Sequence, residues 1–339
     1  MHHLIKSTIL SFSIALTALA SAAGQEKRMA VVEFSTSYLR LQPDYESPLE
    51  TQELMGTVVE IVGESGYWRE IISPQPYKAW CTDQGLVEMS TEELKTYEAA
   101  PKVIFNDLYG HIYIRPSDKA ETLCDLVGGN ILRFVGKKGK WTQVMLPSGK
   151  TGYVQSKFLK KHEGFRSIAM GEGSAESISP EVTEAVIAQA EKLLGVPYLW
   201  GGMSAKGVDC SGLVRISHIM NGILLPRNAS QQIKCGDRVA MQVDPSYHED
   251  SSRQNPDGSY SEAFIGQMKE RVMNLQRGDL VYFGTPATDD KPMRVTHVGI
   301  YLGNNKIIHS SHRVRINSLI PGDPDYYENA HRLIAATRL

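Results

Sequence analysis

The sequence predicts a multidomain chain in which two small all-β barrels precede a larger α+β domain, and three observations carry that prediction. Between residues 30 and 160, Tyr38-Leu39-Arg40 and Gly66-Tyr67-Trp68 return as Tyr113-Ile114-Arg115 and Gly139-Lys140-Trp141. The aromatic spacing returns as well: Trp80 follows Trp68, and Tyr153 follows Trp141, at the same interval of twelve residues. Beyond residue 179 the pattern changes to helical apolar spacing and then to a β-branched hairpin.

The chain opens with a weakly basic start, His2, His3 and Lys6, and an apolar run from Ile9 to Leu19 that is too short to span a bilayer. Small residues Ser21-Ala22-Ala23 follow, so residues 1–23 read as a cleaved export signal. No cysteine closes that stretch, which argues against a lipoprotein anchor; an uncleaved membrane anchor is the alternative. Residues 29–97 and 100–163 then form the two repeats, with short runs such as Val58 to Val62 and Trp141 to Met145 set between Gly, Pro and Asp turns. A Gly, Ser and Glu-rich stretch, 164–178, reads as a linker. The third domain, 179–339, begins with Ser179 as N-cap and Pro180 at the first helical position. Val182, Val186, Ala190 and Leu193 line one face of that helix, and Gly195 ends it. Residues 236–272 hold little periodicity until the short helix-like run Glu262 to Met273 and read as a solvated loop, with a lid over a site as the other possibility.

With 36 basic and 38 acidic residues the net charge is −2, so neither nucleic acid nor an anionic membrane is implied as a partner. Cys81, Cys124, Cys210 and Cys235 are too few and too dispersed for a disulfide framework.

The chemistry concentrates in Asp209-Cys210-Ser211-Gly212. Asp209 suits an N-cap, Leu213, Val214, Ile216 and Met220 supply helical apolar spacing, and Gly222 a left-handed stop. Cys210 then lies in the first turn, where the positive end of the helix dipole favours a thiolate. On its own such a cysteine reads equally as a small core residue. Downstream, Val298 to Leu302, the turn Gly303-Asn304-Asn305 and Lys306 to Ser311 read as a hairpin that makes His297 and His309 opposite or diagonal neighbours. Cysteine, base and orienting residue would then form a nucleophilic triad. Zinc is the alternative reading of one Cys with two His, against which stand the long spacing and the absence of a close ligand pair. Tyr198 and Trp200, in Tyr198-Leu199-Trp200-Gly201-Gly202, read from residue type alone as core aromatics beside a glycine turn.

At these residues, from P-Y-L-W-G-G through D-C-S-G, R-G-D-L-V-Y-F and T-H-V-G-I-Y to I-I-H-S-S, the sequence resembles the NlpC/P60 family of bacterial cell-wall cysteine peptidases. The resemblance implies a papain-like α+β catalytic domain, with Cys210 as nucleophile, His297 as base and His309 as third member. It also implies that the Tyr198 hydroxyl and the Cys210 amide stabilise the oxyanion, and that no metal or organic cofactor is needed. The repeats resemble bacterial SH3 domains, which places this chain with the dipeptidyl-peptidase VI group. Arg277-Gly278-Asp279-Leu280 corresponds to the turn before the histidine hairpin.

The function so implied is exported hydrolysis of the γ-D-glutamyl-diamino acid bond in peptidoglycan stem peptides that carry a free N-terminal L-alanine. Asp209 is then the nearest acceptor for the ammonium. Glu50 and Tyr77 of the first repeat, with Ser211 and Trp200 of the nucleophile motifs, are further substrate-contact candidates, though Glu50 and Tyr77 individually read as a surface acid and a barrel aromatic. The group's P-R-D-A-like run stands here as Pro226-Arg227-Asn228-Ala229, so Asn228 offers an acceptor without a charge. An N-acetylmuramoyl-L-alanine amidase and a non-catalytic wall-binding protein are the alternative functions.

Overall fold

The computed structural model describes residues 27–74, 77–171, 177–243 and 253–339. The expected export signal therefore lies outside the described residues, as do 172–176 of the linker and 244–252 of the loop region. Among the described residues no helix is long and apolar enough to cross a membrane.

The first repeat contains β1 (Arg28–Val32), β2 (Thr36–Arg40), β3 (Leu49–Leu54), β4 (Val58–Ser65), β5 (Trp68–Ser73), β6 (Tyr77–Thr82) and β7 (Leu86–Met89), followed by helix α1 (Thr91–Ala99). The second contains β8 (Lys102–Phe105), β9 (Tyr109–Tyr113), β10 (Thr122–Val127), β11 (Ile131–Lys138), β12 (Trp141–Met145), β13 (Thr151–Gln155) and β14 (Leu159–His162). The strand order β3-β2-β6-β5-β4-β1-β7 recurs as β10-β9-β13-β12-β11-β8-β14, the same order displaced by seven strands. The glycine-turn motifs occupy equivalent places, whereas Tyr38-Leu39-Arg40 and Tyr113-Ile114-Arg115 do not. Gly66 and Gly139 both turn a hairpin at φ +59°, a left-handed conformation that suits glycine. Arg40 pairs with Trp80 as Tyr113 pairs with Tyr153, so buried Leu39 is matched by buried Ile112, two residues before the Ile114 that the sequence suggested. Each sheet packs its own core, Leu39, Val59 and Ile71 in one, Ile112, Leu132 and Val144 in the other. Helix α1 departs from the all-β expectation; Ser90 and Glu93 cap it reciprocally and Tyr97 anchors it by burial.

The C-terminal part contains β15 (Arg166–Ser167), α2 (Pro180–Lys192), β16 (Met203–Ser204), β17 (Gly207–Val208), α3 (Cys210–Ile219), β18 (Ile223–Leu224), α4 (Ala229–Gln232), β19 (Asp237–Arg238), α5 (Glu262–Val272), β20 (Leu280–Thr285), β21 (Arg294–Gly303), β22 (Lys306–Ser311), β23 (Arg313–Ser318) and β24 (Leu333–Arg338). Six strands form one sheet in the order β19-β24-β20-β21-β22-β23. Alternation along β20 divides two cores: Leu280 and Tyr282 join the one containing α3, whereas Val281 and Phe283 join the one containing α5. All ten residues of α3 are buried.

Two stretches read as irregular are partly ordered. Within the linker, Arg166–Ser167 pairs in parallel with Ile223–Leu224, because Ile168 anchors the segment in the core. Within 236–272 the helix-like run Glu262 to Met273 forms α5, whereas the solvated-loop reading fails at one edge strand and at the buried face of that helix. Asp237–Arg238 adds an edge strand to β24, and α5 buries Phe264, Met268 and Val272, four residues apart, against the sheet.

His218 lies wholly buried on α3, its Nδ1–H donating to the Val214 carbonyl at 2.7 Å, and burial lowers its pKa from 6.5 to about 4. The folded protein thus favours neutral imidazole, a contribution present above the unfolded pKa and lost as pH falls through about 4. His218→Asn keeps a donor at that place without the titration. Thermal midpoints measured from pH 7 down to pH 4 are therefore expected to fall less steeply in that variant than in the wild type.

Candidate active site

Asp209 is the N-cap of α3, accepting the Gly212 amide at 2.7 Å, so Cys210 begins the helix. Gly212 is obligatory there, since a Cβ would collide with the Gly202 carbonyl oxygen. That contact explains why the glycines of the two motifs occur together. The histidines come from neighbouring strands. Gly299 pairs with His309, which makes His297 its diagonal neighbour, and the rings share a hydrogen bond of 2.8 Å from His297 Nε2 to His309 Nδ1. Tyr327 packs edge-on to His309 with centroids 4.5 Å apart and also lies against His297. The Cys210 sulfur meets the backbone amides of Ser211 and of Val298, the residue next to His297. His309 Nε2 is bonded in turn to Asn317 Oδ1 at 2.9 Å. With both His309 nitrogens so engaged, the zinc reading has no donor there.

Burial sets the protonation of the pair. It pushes the Cys210 thiol up to about 12, with the Asp209 carboxylate acting in the same direction against the Val298 and Ser211 amides and Arg227. It lowers His297 to about 3, helped by His309, Arg315 and Arg332, and His309 to about 4 against the Asn317 hydrogen bond. The thiolate expected from the helix dipole is thus outweighed by desolvation, and the resting pair is thiol and imidazole. Burial first, then Cys210 and Asp209, raises the Tyr198 phenol, which therefore keeps its proton and can donate.

Beneath the nucleophile lies an ion pair. Arg227 reaches Asp209 Oδ2 at 2.6 Å and Oδ1 at 3.1 Å, with side-chain exposures of 1% and 11% for the two residues. The carboxylate also accepts from the Gly201 amide and the Ser211 hydroxyl. Its oxygens are filled by the fold, and the Ser211 hydroxyl, buried in the same network, accepts from Arg227 at 2.9 Å. Neither residue presents a vacant group to a ligand, contrary to their reading as substrate contacts.

The NlpC/P60 family model matches residues 195–329. The C-terminal domain belongs to the NlpC/P60 family of cysteine peptidases. Over 83% of its length the chain is 28% identical to the γ-D-glutamyl-L-lysine dipeptidyl-peptidase of Bacillus cereus, covering 73% of that protein. It is 25% identical over 91% of its length to dipeptidyl-peptidase 6 of Lysinibacillus sphaericus, covering 97% of it. A crystal structure of an NlpC/P60 family protein from Bacillus cereus superposes with a TM-score of 0.65 at 21% identity, covering 91% of this chain and 99% of that one.

The NlpC/P60 domain is held by strand β3 of the first repeat. Gln52 accepts the Met203 amide at 2.8 Å, Thr51 accepts from Arg227 Nε at 2.7 Å, and Glu53 lies 3.9 Å from buried Arg215. On the same strand Glu50 accepts the Tyr77 hydroxyl at 2.6 Å, and Tyr77 also contacts Asn228. Glu50, Tyr77 and Asn228 thus converge, and the Glu50 backbone packs on Gly201. Trp200 is 67% exposed, which removes the core reading for it. Sequence reasoning missed Arg227, Asn317 and Thr51. Arg227 stood inside the quoted P-R-N-A run, whereas nothing in periodicity or spacing marks the other two.

Three outcomes follow for this site. Arg227→Leu leaves a buried carboxylate unpaired and should cost about 3–5 kcal/mol in urea unfolding, part of it recovered by adding Asp209→Asn. Because the active form needs His297 and His309 both neutral, kcat/KM should hold its plateau well below the ordinary imidazole pKa of 6.5 and fall as pH approaches about 4, where His309 titrates, and further towards about 3, where His297 does. Alkylation of Cys210 by iodoacetamide should instead climb with pH through neutrality; a rate independent of pH there would show a preformed ion pair.

Proposed function

We propose that the protein is an exported γ-D-glutamyl-diamino acid endopeptidase that acts on peptidoglycan stem peptides with a free N-terminal L-alanine. The observation that carries the reading is the meeting of Glu50, Tyr77 and Asn228 beside the nucleophile helix. A carboxylate, a phenol and an amide oxygen brought together suit an ammonium, and Glu50 supplies the charge that Asn228 lacks. Asp209 holds Arg227 instead. The name of the Bacillus cereus relative, a γ-D-glutamyl-L-lysine dipeptidyl-peptidase, supports the same bond class, and the Lysinibacillus sphaericus relative is likewise named a dipeptidyl-peptidase.

In this reading the repeats, 29–97 and 100–163, are SH3-like domains, and β3 of the first closes the cleft beyond the alanine. The papain-like domain, 179–339, supplies the chemistry. His297 takes the Cys210 proton as the sulfur attacks the γ-glutamyl carbonyl. The oxyanion is held by the Tyr198 hydroxyl and the Cys210 amide, where one lost donor costs on the order of a hundredfold in rate. His297 then returns the proton to the leaving amine, and water resolves the thioester. Trp200, exposed next to the motif, offers its indole as a wall for the peptide. Export rests on the leader at residues 1–23.

Mass spectrometry of L-Ala-γ-D-Glu-diaminopimelate and of the same stem joined to muramic acid tests the proposal. The wild type is expected to release L-Ala-γ-D-Glu from the free tripeptide alone, and Cys210→Ala to release nothing. Cleavage confined to the muramyl compound would point to the amidase or a wall hydrolase. Binding to insoluble wall without any cleavage would favour the wall-binding alternative.

A further inference from the structure

Asn317 lies on β23, one strand beyond His309, and is 8% exposed. Its amide bridges two partners of different kinds. Nδ2 lies 2.7 Å from the Asp325 backbone carbonyl, and Oδ1 lies 2.9 Å from His309 Nε2. A carbonyl only accepts, and the Asp325 oxygen also accepts the Ser318 amide at 3.0 Å. The side chain cannot be turned over without setting Oδ1 against that oxygen.

We infer that Asn317 is a positioning residue, the fourth member of a relay that sets the tautomer of both histidines and so selects the nitrogen with which His297 acts as base. The inference rests on the peptidase reading of the site for its effect on rate, though not for the tautomers themselves. With Oδ1 facing it, His309 Nε2 must carry the proton. Nδ1 of the neutral ring is then a lone pair, so the 2.8 Å contact requires His297 to donate from Nε2. The lone pair of neutral His297 is left on Nδ1, the nitrogen not bonded to His309, which in the peptidase reading takes the Cys210 proton. Each proton in the chain points from the nucleophile towards Asn317, and the terminus of the chain is anchored to backbone.

The balance during turnover follows. When the sulfur forms its bond to the carbonyl carbon, its proton passes to His297 Nδ1, and the imidazolium keeps Nε2–H donated to the His309 lone pair. Transfer of the Nδ1 proton to the leaving nitrogen restores the starting tautomer. His309 and Asn317 gain and lose no proton. Without Asn317, His309 is at liberty to place its proton on Nδ1 and donate to His297 Nε2, which would shift the His297 proton to Nδ1 and present N–H to the thiol. Gly299 serves the same arrangement: a Cβ there would stand 3.1 Å from the His309 Cβ and crowd the ring. The charged groups that also face the two rings are Arg315 on β23 and Arg332 and Glu328 from the segment before β24.

Nitrogen-15 NMR of the histidine-labelled full chain, with His309→Gln and His297→Gln for assignment, reads the tautomers without turnover. For the wild type at pH 7 the expected result is a protonated Nε2 on both rings. Asn317→Leu should mix the tautomers and lower kcat on the free tripeptide by roughly a hundredfold, the low end of what a positioned general base contributes, with KM little changed. Asn317→Asp keeps an acceptor towards His309 but sets its second oxygen against the Asp325 carbonyl, so it should regain the wild-type tautomer and only part of kcat, and raise the acid limb of the rate profile by placing a carboxylate beside His309. Protonated Nδ1 in the wild type, or an Asn317→Leu protein with unchanged tautomers and kcat, would overturn the inference even where Cys210→Ala is inactive. An active Cys210→Ala protein would overturn the peptidase reading, and the spectra would still decide this one.

Discussion

The buried Arg227–Asp209 pair is the interaction on which the arrangement of this molecule depends. Asp209 caps the nucleophile helix and holds the Gly201 turn, while Arg227 carries its guanidinium from that carboxylate to the Ser211 hydroxyl and, across the domain boundary, to Thr51. A buried ion pair of this sort is weak evidence for stability, since desolvation offsets much of its attraction. Its geometry nevertheless specifies one arrangement. Every donor of the fork that meets Asp209, Ser211 or Thr51 fixes the place of a different segment, so the nucleophile, the loop before it and β3 of the first repeat are located together.

Strand β3 extends that constraint along its length. Thr51, Gln52 and Glu53 each meet the catalytic domain, and Leu54 enters its core. The second repeat completes the junction through Ile104, Val127 and Ile131 in the same core, while Lys206 joins Asp125 at 2.7 Å. Rigid attachment of this kind suits a role in substrate selection better than one in tethering. A domain that only anchored the enzyme to a wall would need no buried contacts with the helix that bears the nucleophile.

Local features of the fold were legible in the sequence for local reasons. The Asp209 cap, the Ser179-Pro180 start and the Gly303-Asn304-Asn305 turn act over a few residues, and the diagonal placement of His297 and His309 follows from the register that the turn imposes. The duplicated strand order was foreshadowed because equivalent hairpins need the same glycine at φ +59° and the same aromatic interval. What could not be read was long-range partnership. Arg227 and Thr51 are 176 positions apart, and no periodicity reports on such a pair. Helix α5 was legible as a helix-like run from Glu262 to Met273, whereas its burial through Phe264 and Met268 against the sheet was not. The state of Cys210 was misread for a third reason: the dipole is visible in the sequence, whereas the desolvation that outweighs it exists only in the assembled cleft.

The central claim is that β3 closes the cleft so that Glu50, Tyr77 and Asn228 select a free amine. Isothermal titration of the Cys210→Ala protein with L-Ala-γ-D-Glu-diaminopimelate and with its N-acetyl derivative tests it most directly. The account predicts measurable binding of the free tripeptide only, abolished by adding Glu50→Gln. Equal affinity for the two peptides, or free-tripeptide binding unaffected by Glu50→Gln, would contradict it.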